Sequence, residues 1–390
     1  MRELNPAEIR PATPVVPAPL GAPRKARDPR LDVLRGVALV TIFIDHVPTN
    51  AYEALTLRNW GFSDAAEGFV LMSGVSAGLA YGLAFRPGGQ AWTGLARVWS
   101  RVWTLYLVHV LVTALAFALA AGLALWAGIP GLLRLNGIDG IYLHPLQTMV
   151  ALPLMIDQLG YANILPLYCV LLGVTPALLW GAWRRPWAVL AGSAALWYLA
   201  AEFRLNIPTW PIEKGWQFSP FAWQILFVLG LFTGIRLKEG RRFVPRRGWL
   251  LALCAGFVLF ALACRTMPPV ARLMHEGLGW LGQAGAPWHL ISFDKIWETA
   301  PRLAHAAALA YLLSALPAIR SACAQPWAAP FALLGRHALP VFALGSVLAF
   351  LFQGIKTETG ENFLFDSVML GSGLGLQFAL ALAKDRWPAR

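Results

Sequence analysis

The chain has 390 residues, of which 57% are hydrophobic and only 13% charged, with 18 Trp and 21 Phe. Charged residues make up about a quarter of an ordinary soluble domain, so half that share, with apolar runs recurring from residue 33 to 383, excludes a soluble fold. The net charge of +12 does not point to nucleic acid, because the basic residues cluster in alternate loops, as orientation determinants of a membrane protein do. The runs are too long, and too poor in alternating polar residues, for an outer-membrane barrel. The composition predicts an all-α, polytopic integral membrane helical bundle.

Residues 1–30 contain seven prolines and no apolar core of the kind a cleavable signal peptide requires. Residues 1–28 are expected to be a disordered cytoplasmic tail, with the first helix serving as an uncleaved insertion signal. Asp28-Pro29 reads as an N-cap followed by proline at the first helical position, and Pro48 as the stop, which gives a helix over about 29–47. Its uninterrupted apolar stretch, Gly36–Ile44, falls well short of the ~20 residues a lipid-exposed span needs. This helix is therefore expected to be enclosed by others.

Further spans are predicted at about 65–85, 99–127, 161–181, 187–203, 219–236, 248–264, 299–317, 330–352 and 366–383, about ten in all. Basic clusters such as Arg24/Lys25/Arg27/Arg30, Arg184/Arg185 and the run from Arg236 to Arg247 fall in alternate loops, and the loops between them mix signs. That asymmetry predicts both termini in the cytoplasm, a transmembrane domain over 29–384, and a short cytoplasmic tail over 385–390. Two long outer loops, about 128–160 and 265–298, are rich in Trp, His, Pro and Gly, a composition suited to building an outer cavity. Gly74, Gly78 and Gly82 form a small-residue stripe on the second span, the spacing of close helix contact. Such packing would set the second span against the first. The four cysteines, Cys169, Cys254, Cys264 and Cys323, show no metal-ligand spacing, and no metal or glycine-rich phosphate loop is expected.

Within the first helix, Arg35 and His46 stand eleven residues apart, which returns them to nearly one face, roughly 16 Å apart along the axis. Ionisable side chains at membrane depth are costly and are functional candidates by default. On the expected topology Arg35 lies toward the cytoplasm and His46 near the outer face. An imidazole there can take a proton from an attacking hydroxyl and return it to a leaving group. The guanidinium can hold a phosphate or carboxylate, with a salt bridge to Asp32 or simple anchoring as its alternative. Asp45 lies about 100° around the helix from His46, so it is expected to pair with another helix. Glu67, at a similar depth on the second span, is the better partner for His46. Asp64 and Glu67 also have capping-box spacing, with Asp in place of Ser or Thr. Arg97 and Arg101, one turn apart where the third span leaves the cytoplasm, are candidates for the same anion site or for anchoring. His305 and His337 are expected to be packing histidines.

Leu31-Asp32-Val33-Leu34-Arg35-Gly36 with His46 resembles the LDxLRG opening and Arg-X10-His form of the acyltransferase-3 superfamily of membrane acyltransferases. Ile42-Phe43-Ile44-Asp45-His46-Val47-Pro48, followed by Trp60–Val70 and Ser73-Gly74, is similar to its OpgC branch, with a weaker echo at Leu334-Gly335-Arg336-His337. The resemblance implies O-succinylation of osmoregulated periplasmic glucans at the bacterial inner membrane. The acyl-CoA, expected to be succinyl-CoA, would be a co-substrate, and no tightly bound cofactor is implied. His46, Glu67 and Asp45 are the catalytic candidates on that reading, and Arg35, Asp64, Arg97 and Arg101 the substrate-binding ones. Membrane lipid, a glucan acceptor and glucan-synthesis machinery are the partners expected. Two other classes fit the same residues: a transporter or flippase for an anionic or lipid-linked solute, and a non-catalytic scaffold for a glucan synthase. The halves of the chain show no convincing repeat, which weighs against the transporter.

Overall fold

The computed structural model describes residues 28–387. The proline-rich tail lies outside these residues except for Asp28, and of the expected C-terminal tail Asp385 and Arg386 belong to the last helix. The longer helices are α1 (Arg30–Asp45), α2 (Ala65–Tyr81), α3 (Ala91–Gly122), α4 (Ile164–Arg184), α5 (Pro186–Glu202), α6 (Pro220–Lys238) and α7 (Gly248–Thr266). They continue as α8 (Pro268–Gln283), α9 (Ala300–Ala315), α10 (Pro317–Cys323), α11 (Ala329–Arg336), α12 (Ala338–Thr359) and α13 (Phe363–Arg386). No strand occurs among the described residues. The protein is a helical, multi-pass membrane protein.

Every expected span finds a helix, but the lengths divide them. Among the described residues seven helices are long and apolar enough to cross a membrane, and eight if α9 and α10, bent by 75°, form one broken span. The two missing from ten are α1, with 16 residues, and α5, with 17. The bend at Leu316 has a local cause: Pro317 opens α10 and holds Leu316 in an extended conformation. The expected span 330–352 is also divided, with His337 separating α11 from α12. Pro340 explains this break, since it has no N–H to offer the Arg336 carbonyl and its ring would crowd that oxygen. The third helix starts eight residues earlier than expected, so Arg97 and Arg101 lie inside α3.

Helix α1 begins one residue later than its sequence signal. Pro29 takes the cap position without a side-chain bond, while Asp28 accepts from the Arg30 backbone N–H at 3.1 Å and pairs with its guanidinium at 2.6 Å. As its short apolar stretch demands, α1 is enclosed, by α2, α11 and α12. Gly36 meets the Phe331 carbonyl of α11, and Gly335 meets the Asp32 carbonyl of α1, with no room for a Cβ on either. The LRG opening and its echo near Gly335 are thus the two sides of one helix contact.

The glycine stripe on α2 packs against α6 rather than α1. Gly74 and Gly78 interlock with Gly230 and Gly234 of α6, where an added Cβ would strike opposing backbone carbonyls. The stripe cannot serve α1, because the α1-facing side of α2 carries Met72 and Ser76 instead. Around this α2–α6 pair lies the main core, with Trp223, Phe227, Leu226 and Leu231 fully buried. The loop over 128–160 folds inward through Leu132, Ile138 and Leu159, all wholly buried against Phe350. This brings Tyr161 against α1.

Candidate active site

Near its N-terminus, α1 aims Arg35 at α2. The guanidinium donates to the Met72 carbonyl at 3.2 Å and to Ser76 Oγ at 2.6 Å. It lines a cavity of about 200 Å³ that also includes Arg101, Ser73, Ser76, Tyr81 and Tyr168. The lining contains two guanidinium groups and no carboxylate. Arg97 is exposed and does not line this cavity, but lies 5.7 Å over the ring of Tyr81, which does. Arg35 and Arg101 are therefore brought together, with Arg97 one residue removed at the rim. Such a lining suits an anionic group of limited size.

At the other end, His46 is the first residue past α1 and keeps near-helical angles, φ −87° and ψ −6°. Its ring stands 4.1 Å from that of Tyr161, centroid to centroid. Its carbonyl accepts from Gln353 Nε2 of α12 at 2.6 Å, which fixes the turn after α1. Asp64 and Lys295 are the charged groups within electrostatic reach of the imidazole.

Asp64 and Glu67 form the capping box their spacing implies. Asp64 accepts from the Ala66 N–H at 2.8 Å, and Glu67 Oε2 accepts from the Asp64 N–H at 3.0 Å. Glu67 is wholly buried, and its other oxygen is paired with Arg302 of α9. No hydrogen bond joins it to His46; the expected His46–Glu67 pair gives way to Glu67–Arg302, because a buried carboxylate needs a cation and α9 supplies one beside it. Asp64 holds Lys295 at 2.6 Å and Arg302 at 3.3 Å. Burial works to raise the Asp64 carboxyl, but Lys295 and Arg302 outweigh it and hold the group below the usual carboxylate range.

Asp45 does not pair with another helix. It faces Thr56 and Arg58 of the loop that follows α1, with one carboxylate oxygen buried and lacking a hydrogen bond. The turn at Pro48–Asn50 folds that loop back over the helix end, so the nearest polar groups are local ones. Asn50 secures this turn by donating to the Ile44 carbonyl at 3.1 Å and to the Val47 carbonyl.

Lys295, Glu298 and Arg302 went unnoticed in sequence because they lie in and just after a long loop without a motif. The structure shows how that loop is held. Trp223 Nε1 donates to the Lys295 carbonyl at 2.9 Å, and Trp197 Nε1 to the Glu298 carbonyl at 2.7 Å. Glu298 has φ +44°, a left-handed conformation that is rare for a residue with a side chain. Its carboxylate is wholly buried without a hydrogen bond, 4.0 Å from Arg302 Nε. Burial, reinforced by the Glu67 charge, pushes the Glu298 carboxyl well above its usual range. Held strain of this kind gathers at functional sites. The one sequence signal that hints at it is the density of charge in Asp294-Lys295, Glu298 and Arg302 just before an apolar run.

His305 is held by Ser63 Oγ at 2.7 Å, with its other ring nitrogen buried and lacking a partner. His337 lies 3.3 Å from Asp385 at the opposite end of the molecule, in keeping with packing. Among the described residues no three or more His, Cys, Asp or Glu side chains are grouped to hold a metal. The geometry thus has two ends. A cationic cavity surrounds Arg35, and at the other end the His46 imidazole packs on Tyr161 with Asp64 and Lys295 within electrostatic reach.

A family model described as "OpgC protein" matches residues 27–389. The chain belongs to the OpgC family. The match covers nearly the whole chain and not only the motifs of α1 and α2, so OpgC membership extends to the loop that carries Lys295 and to α12. No curated protein and no solved structure matches the chain. OpgC membership, with the apolar helices, points to a multi-pass membrane acyltransferase.

Proposed function

We propose that the protein transfers an acyl group, succinyl being the best candidate, from a cytoplasmic acyl-CoA to a hydroxyl of a periplasmic glucan at the bacterial inner membrane. The observation that carries this reading is the two-ended arrangement on α1 in an OpgC-family chain: Arg35 with Arg101 in a cavity at one end, and His46 within electrostatic reach of the Asp64–Lys295 pair at the other. Arg35 and Arg101 hold a phosphate of the coenzyme A donor, whose pantetheine arm spans the distance to His46. His46 removes the proton of the sugar hydroxyl as its oxygen attacks the thioester carbonyl. The tetrahedral intermediate then expels the coenzyme A thiolate, which takes the proton back from the imidazolium. Lys295 supplies positive charge where the oxyanion develops, and its pairing with Asp64 keeps it in place.

The test is purified protein in nanodiscs with radiolabelled succinyl-CoA and glucan. Covalent label on the glucan, lost in His46→Ala while the variant still inserts and folds, is the expected result. Solute movement without covalent change would replace this reading with transport, and neither activity would leave a scaffold. In cells, mass spectrometry of glucan from a deletion strain names the acyl group by the mass lost.

A further inference from the structure

A second cavity is lined in part by the chain that follows His46. It has a volume of about 340 Å³ and is lined by Thr49, Asn50 and Ala51 after α1, Glu361 and Asn362 between α12 and α13, and Phe363 and Asp366 at the start of α13. That size falls within the range of small-ligand sites, about 300–1,000 Å³. Of the lining residues, Asp366 is held in a buried ion pair, Lys356 Nζ to Asp366 Oδ1 at 2.5 Å, with side chains only 3% and 2% exposed. Lys356 also donates to the Thr49 carbonyl at 3.2 Å. Thr49 has φ +55°, an outlier for a β-branched residue, at the rim of the cavity.

Two observations connect this cavity with the reaction. Gln353 and Lys356, three residues apart and so on one face of α12, hold the His46 carbonyl and the Thr49 carbonyl respectively. One face of α12 thus sets both the catalytic turn and the cavity wall. The second observation is aromatic. Phe363 lines the cavity, and its ring stacks on Tyr52 at 5.7 Å with an interplanar angle of 23°. Tyr52 is in turn fixed by Ser367 at 2.7 Å.

Carboxylates, an amide and a stacked aromatic platform at one cavity are the chemistry that recognises a neutral sugar. Vicinal hydroxyls donate to carboxylate oxygens, and the apolar C–H face of the ring lies on the aromatic one. A phosphate or carboxylate ligand would instead meet Glu361 and Asp366. We propose that this cavity is a remote subsite for the acceptor, binding an unmodified sugar unit of the glucan while another unit presents its hydroxyl to His46. The proposal rests on the acyltransferase reading for the order of events, but the binding site stands on its own chemistry. It also gives a direction to the reaction, because an acidic rim disfavours a segment that already carries succinyl groups.

The experiment uses full-length protein in nanodiscs and compares wild type with Phe363→Ala and Glu361→Gln, both exposed positions. Direct binding of a neutral glucose oligosaccharide, followed by calorimetry, is measured beside transfer from succinyl-CoA to that oligosaccharide and to methyl glucoside. For Phe363→Ala the expected result is about a tenfold loss in oligosaccharide affinity, and a similar fall in the kcat/KM ratio of oligosaccharide to methyl glucoside. Glu361→Gln is expected to narrow the preference for unmodified over succinylated oligosaccharide. If wild type binds the oligosaccharide but transfers nothing, the acyltransferase reading fails and the subsite survives. If wild type does not bind it, or both variants bind it as wild type does, the subsite is overturned.

Discussion

The two ends of α1 carry charge in opposite ways. Around Arg35 the cavity lining brings together two guanidinium groups and several hydroxyls, all donors that an anion can accept from. Around His46 the charges answer one another: Asp64 and Glu67 against Lys295 and Arg302. The first end is built to attract an anion. The second is built to hold groups in position, with its field largely spent internally. A single helix can join the two because α2, α11 and α12 enclose it, so neither end must face lipid.

The largest effect that separates the ends is on the rate. His46→Ala is expected to lower acyl transfer by about 10²–10⁴-fold while leaving detergent-solubilised protein monodisperse and its thermal unfolding near wild type. Wild-type turnover in that variant would move the chemistry away from this end. Next comes the paired cluster itself. Arg302→Met leaves Glu67 buried without its cation and is expected to destabilise the protein by about 3–5 kcal/mol, read as a marked fall in unfolding temperature. An unchanged unfolding temperature would mean that the cluster does not hold the site together. At the other end, Arg35→Lys keeps the charge and loses the planar fork. A rise of about tenfold in donor KM with little change in kcat is expected, and an unaltered KM would reduce Arg35 to a packing group.

The smallest effect tests the strain in the loop. Glu298 has a raised pKa in the folded protein, so the folded state holds its proton over a pH range in which the unfolded chain has released it. Stability contributed this way is intact below the ordinary glutamate pKa, about 4.3, and is lost as pH rises from there toward the folded value. Glu298→Gln removes that dependence. The variant should unfold at a higher temperature than wild type at pH 8, with the difference closing toward pH 4. A gap that stayed constant with pH would show that Glu298 is not the titrating group. Asp64 has the opposite sign: its pairing stabilises the fold above the ordinary carboxylate range and is lost only in strong acid.

Much of this architecture was legible in the residues themselves. Apolar runs are long and repetitive, so the positions of the helices follow from hydropathy, as does the need to enclose α1. The capping box at Asp64 and Glu67 was readable because its partners lie three residues apart. The break at His337 was also written there, in Pro340, but an apolar run across 330–352 concealed it. Partner choice was not legible. The glycines of α2 are the same whether they meet α1 or α6, and only the matching glycines on α6 decide it. Asp45 turned to its own loop for the same kind of reason, since Asn50 folds that loop back and no local pattern announces it.

By itself, then, the sequence determined a helical membrane protein, the Arg35/His46 stripe and the family motifs, because each depends on residues close together in the chain. The tertiary structure alone decided that Arg35 shares a cavity with Arg101, that Glu67 belongs to Arg302, and that Lys295 comes up beside Asp64 near His46. Those pairings join residues more than sixty positions apart, and in the case of Lys295 and Arg302 more than two hundred. A buried charge takes whichever opposite charge the packing brings within reach, and only the folded chain fixes which one that is.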